Sequence, residues 1–153
     1  MNYIQRKVSP AKIVLLGILC LAAVFTLVKH SKASIGNISK ADLTGSWQAT
    51  VVLANSGCGP MTLLVNFTLN GSGVATNANI VQHGACGDST LTGQTFTISS
   101  LNANGSGVAG LTCGSGCGWG FNIQVAPDRS IFNLVDVNPA NANNFVEGTA
   151  IHQ

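Results

Sequence analysis

Four cysteines, Cys58, Cys86, Cys113 and Cys117, and two carboxylates, Asp136 and Glu147, are the side chains of this sequence best placed to do chemistry. Cys113-Gly-Ser-Gly-Cys117 encloses only small residues, so its ends can fold back and close a short disulfide loop. Cys58 and Cys86 would then pair with each other, although four cysteines allow three connectivities. The alternative is a soft-metal site with thiolates from Cys113 and Cys117 and an imidazole from His83. No Cys-x-x-Cys pair and no second nearby histidine supports such a site. The reading is therefore structural disulfides, with no metal and no cofactor.

The carboxylates offer general acid/base work or cation binding if they share a face. A hairpin drawn about the Asn138 to Asn143 loop sets Asp136 opposite Glu147, Leu134 opposite Thr149 and Phe132 opposite Ile151. A slip of one residue would put the acids on opposite faces. No catalytic residue is assigned beyond this pair, which would serve a small hydrolase. His83 lies beside the cysteine-bearing segment, near Asp88 and Ser89, but no Gly-x-Ser-x-Gly turn presents a nucleophile. Asp88 is better explained as a turn residue capping backbone N–H groups. Trp119, directly after the Cys117 loop, is the aromatic side chain placed to reach a ligand. His83, Asp88 and Trp119 are the candidate ligand-binding residues.

What positions these groups is a run of β-strands. GSWQATVVLA from Gly45 puts Trp47, Ala49, Val51 and Leu53 on one face, and MTLLVNFTL puts Met61, Leu63, Val65, Phe67 and Leu69 on one face. Six further segments follow: Val74 to His83, Leu91 to Leu101, Gly107 to Thr112, Gly118 to Ala126, Ser130 to Val137 and Asn144 to His152. An internal echo, LNGSGVAT from Leu69 and ANGSGVAG from Ala103, marks two hairpins in which Asn-Gly would supply the positive φ of a tight turn. Eight short strands with hairpin connections give an all-β, antiparallel up-and-down meander, a barrel in preference to a two-layer sandwich. In such a meander alternate connections share one end. The four cysteines fall in or beside the first, third and fifth connections, so all four gather at one mouth.

Leu43-Thr44-Gly45-Ser46-Trp47, opening the first strand, resembles the Gly-x-Trp signature of lipocalins and avidin-like (calycin-type) barrels. The resemblance implies an eight-stranded barrel with the tryptophan closing one end. It carries over neither biotin nor a lipid, since the further pocket tryptophans of the avidin pattern are missing. In style the chain is also similar to small exported bacterial proteins of uncharacterised function.

The first 33 residues belong to export. Arg6, Lys7 and Lys12 precede an uncharged apolar run from Ile13 to Val28, and Ser31-Lys32-Ala33 follows with small residues suited to cleavage before Ser34. The alternative is an uncleaved anchor, since the run is slightly short of the about 20 residues that span a bilayer. Residues 34–42 read as a linker and 43–153 as one domain. Without residues 1–33, Lys40 and Arg129 are the only Lys or Arg left against five acids. That leaves no electrostatic footing for nucleic-acid binding. Membrane contact would come only through residues 13–28, and the protein would be periplasmic or secreted. The expected function is a non-enzymatic binding module for a small molecule, glycan or protein, held by the loops at Asn55 to Pro60, His83 to Thr90, Cys113 to Gly118 and Asn138 to Asn143. The rival is a surface-matrix protein that self-associates through neutral Asn/Thr-rich faces.

Overall fold

The computed structural model describes residues 36–56, 59–114, 118–137 and 145–153. Eight strands follow one another: β1 (Gly45–Ser56), β2 (Gly59–Leu69), β3 (Val74–Gly84), β4 (Ser89–Leu101), β5 (Ser106–Thr112), β6 (Gly118–Val125), β7 (Ile131–Asp136) and β8 (Val146–His152). Every sequential pair is antiparallel, and β8 returns to pair with β1, from Trp47 opposite His152 to Leu53 opposite Val146. The meander is a closed barrel. Closure removes the free edges that so few charges would have guarded.

Alternation decides what fills it. Trp47, Ala49, Val51 and Leu53 are all buried, as are Leu63, Val65, Phe67 and Leu69 on β2, while intervening residues such as Gln48, Thr50 and Thr62 are exposed. Eight strands leave an interior just wide enough for side chains. Phe67 stacks on Phe96 with centroids 4.5 Å apart, Phe132 lies 4.8 Å from Trp47, and the space between Val65, Phe96, Phe121 and Leu134 admits no water molecule. The barrel is a packed core at mid-height.

Residues 38–43 are not a linker. Ile38 and Leu43 are buried, the Ile38 N–H donates to the Ala103 carbonyl at 3.0 Å, and Lys40 Nζ donates to the Ser99 carbonyl at 2.9 Å. A short 3-10 helix, Lys40–Leu43, sets Leu43 so that its carbonyl accepts from Trp47 Nε1 at 2.8 Å. The reason is hydrophobic: the end of the barrel away from the cysteines has open apolar positions, and Ile38 and Leu43 cover them.

The turns at that end differ from the sequence echo. Their left-handed residues are Gly73, Gly105 and Arg129, each three places after a carbonyl acceptor, Asn70, Asn102 and Ala126. The structural repeat is thus Asn70-Gly-Ser-Gly73 against Asn102-Ala-Asn-Gly105, two residues out of step with the Asn-Gly-Ser-Gly match. Gly71, after Asn70, has no positive φ, and the Asn70 side chain is occupied accepting from Ser72 and Val74. The fourth turn position carries the conformational demand, filled in the second hairpin by the glycine of the Asn104-Gly105 pair and in the first by Gly73 in place of Gly71.

Candidate functional site

At the cysteine end each strand contributes one inward side chain: Leu53, Met61, Gln82, Leu91, Cys113 just beyond β5, Trp119, Asp136 and Val146. Their common face follows from the register. Leu53 pairs with Met61 and Val146, Leu63 with Gln82, Ile80 with Leu91, Leu111 with Trp119 and Phe121 with Asp136, and directly paired residues point the same way. Leu53, Cys113 and Val146 are buried, whereas Met61, Gln82, Leu91, Trp119 and Asp136 are half-buried. Met61, Leu91 and Trp119 still pack against the core. The ring therefore offers partly open apolar surface with one amide and one carboxylate.

The structure joins some of the expected residues and separates others. His83 and Asp88 meet through Nδ1 and Oδ1, so Asp88 orients an imidazole and is not simply a cap of backbone N–H groups. Their side chains are 78% and 72% exposed, and His83 sits opposite exposed Thr62 on the outward face. Trp119 points inward from β6, with β4 and β5 between it and that pair. The three candidate ligand residues do not converge on one point. Among the described residues no hydroxyl hydrogen-bonds to His83. Cys86 and Cys113 lie at this end as expected, while Cys58, Cys117 and the Asn138 to Asn143 loop are outside the described residues. So is any metal set that includes Cys117.

The carboxylate pair is corrected by the β7–β8 register. Glu147 faces Val135, Thr149 faces Asn133 and Ile151 faces Ile131, so Asp136 points inward beside Phe121 and Glu147 points out. The one-residue slip is the true arrangement. Burial explains it: this register sets the buried Phe132 and Leu134 of β7 opposite Ala150 and Gly148 on the inward face of β8, and Gly148 itself lies so close to β1 that a Cβ would come within 2.5 Å of the Thr50 carbonyl. Phe132 then faces Ala150, and both are buried, while Ile151 is exposed. A hydrolase built on Asp136 and Glu147 loses its geometry. Asp136 lies instead at the cysteine end with Trp119, where the sequence also set it, and the register turns both side chains inward.

No protein-family model matches the chain, and no curated protein matches it either.

A cleft lies toward the opposite end. Its volume is about 520 Å³, and it is lined by residues of β1, β2, β3 and the β2–β3 turn together with Gln153. Nothing in the period-two pattern signalled it, since it arises where two strands part company.

Proposed function

We propose that this chain is an exported, non-enzymatic β-barrel that binds a small molecule, glycan or protein at its cysteine-bearing end. The ring of one inward side chain per strand carries the reading: five of its members are left half-buried above a core that is otherwise closed. Loops on a rigid barrel suit recognition, because the scaffold loses little freedom when a ligand binds. Two disulfides, Cys58 to Cys86 and Cys113 to Cys117, would fix those loops. A Cβ placed on Gly59 would lie 3.9 Å from the Ala85 Cβ, so the neighbours of Cys58 and Cys86 are in contact. Thr112 pairs directly with Gly118, so the segment that carries Cys113 and Cys117 joins two directly paired residues. Neither Cys86 nor Cys113 is a free thiol. Export rests on the leader; among the described residues no helix is long and apolar enough to cross a membrane.

The mouth can be tested with its own tryptophan. In a Trp47→Phe variant Trp119 is the only tryptophan. The apolar probe 1-anilinonaphthalene-8-sulfonate should quench it saturably, and Leu91→Asp should weaken that response. An emission indifferent to the probe would defeat the reading.

Self-association has one observation in its favour. Val52, Leu64 and Val81 are exposed on adjacent strands, Leu64 directly opposite Val81. Concentration-dependent sedimentation abolished by Leu64→Lys would support that second reading, and a constant monomer would remove it.

A further inference from the structure

We propose that the cleft between β2 and β3 is a binding site for a neutral, polyhydroxylated ligand, a saccharide of one or two rings. The β2–β3 ladder runs from Met61 opposite Gly84 to Asn66 opposite Asn79 and goes no further, although β2 continues to Leu69 and β3 begins at Val74. The departure belongs to β3, whose pairing with β4 shifts register twice, between Ala75 and Ala78 and between Ala78 and Ile80. Irregularities of this kind re-aim side chains. Here they leave Thr76 and Asn77 both exposed, against the alternation, while Asn79 is half-buried. All three line the opening.

The chemistry of the lining selects the ligand class. Amides and hydroxyls dominate it, no charged side chain takes part, and Trp47 and Phe67 form its apolar floor. Two of the amides are held in place by the fold: Asn66 Oδ1 accepts from Gln48 Nε2 at 2.9 Å, and Asn70 Oδ1 accepts from the turn it caps. Asn79 is different. Its Oδ1 is buried and has no hydrogen-bond partner among the described residues, an acceptor that costs stability until a donor reaches it. A sugar hydroxyl donates to such an oxygen and accepts from an amide N–H in the same contact. An anion would find no opposite charge in the lining, and an apolar ligand would leave the amides unpaired. The volume lies in the range of small-molecule sites.

This site stands apart from the cysteine-end mouth, so the two readings fail separately. NMR titrations of the protein with cellobiose and with N,N′-diacetylchitobiose should each be followed at the side-chain amides of Asn77 and Asn79. Saturable shifts are expected with at least one probe, at millimolar affinity. Asn79→Leu should weaken binding about tenfold or more without lowering the urea midpoint, because it also removes an unpaired buried acceptor. Asn77→Ala, at an exposed position, should weaken binding in a fold that is certain to survive. The proposal is overturned if neither disaccharide shifts these resonances, if both variants bind as the parent does, or if glucuronate binds more tightly than methyl glucoside.

Discussion

The rings of Trp47 and His152 stack at the seam of the barrel, centroids 4.7 Å apart and planes 26° from parallel, joining the first strand to the last. Gly45 makes the arrangement possible. Its φ is +137°, and a Cβ there would run into the His152 ring. Gly45-Ser46-Trp47 therefore has a local physical meaning: a glycine that admits the ring lying on the tryptophan. Trp47→Ala should cost about 3–5 kcal/mol in urea unfolding, and His152→Ala about 1 kcal/mol. Gly45→Ala should destabilise by more than His152→Ala, since it both strains the backbone and displaces the ring. Equal stability of Gly45→Ala and the parent would contradict this account.

Gly148 holds β8 close against β1, where a Cβ would come within 2.5 Å of the Thr50 carbonyl. Gly148→Val should therefore destabilise by at least about 1–3 kcal/mol, measured by chemical denaturation. Asp136 and Glu147, on opposite faces, should behave independently. In a double-mutant cycle of Asp136→Asn and Glu147→Gln, the coupling should stay within about 0.5 kcal/mol. A larger coupling would mean that the two carboxylates do share a face.

The proposed disulfides close loops of very different size, and chain entropy makes their contributions unequal. Replacing Cys58 and Cys86 by Ser should cost about 3–4 kcal/mol, against about 2 kcal/mol for Cys113 and Cys117. A non-reducing peptide map provides the direct check. A link between Cys86 and Cys113 would refute the pairing.

Asp42 and Asp128 govern the acid response at the other end. Ser39 holds Asp42 below the ordinary carboxylate range, donating from its backbone N–H at 2.8 Å and its hydroxyl at 2.9 Å, with Arg129 Nε 3.9 Å away as a weaker influence. Ser130 lowers Asp128 in the same way, through its hydroxyl and then its N–H. With folded pKa values depressed, the unfolded chain takes up protons first as pH falls. The stability these groups add is fully present above the unfolded value of about 3.9 and is lost as pH falls through their lower folded values. An Asp42→Asn, Asp128→Asn variant should be less stable than the parent at pH 6, with the gap narrowing by pH 3. A gap that widened with acid would reverse the sign of the argument.

Strand positions were legible because period-two alternation is a local signal. Trp47 to Leu53 and Met61 to Leu69 state their inward faces without reference to any partner. The inward ring at the cysteine end was only half legible. Trp119 stood out by type and place, but Gln82 and Asp136 join it through register, Gln82 opposite Leu63 and Asp136 opposite Phe121. The bulged part of β3 escaped for a related reason: at Ala75 to Asn79 the sequence departs from strict alternation, and which residues turn outward is settled by β2 and β4 together.

By itself the sequence determined the meander. Eight alternating segments joined by short turns must run antiparallel, and that alone sends the odd-numbered connections, with Cys86 and Cys113, to one end. Register and the cleft beside β3 were decided only in three dimensions. A strand knows its own two faces, but how far it slides along its neighbour, and where it leaves that neighbour, depends on side chains distant in sequence: His152 over Trp47, Gly148 against Thr50, Asn79 opposite Asn66.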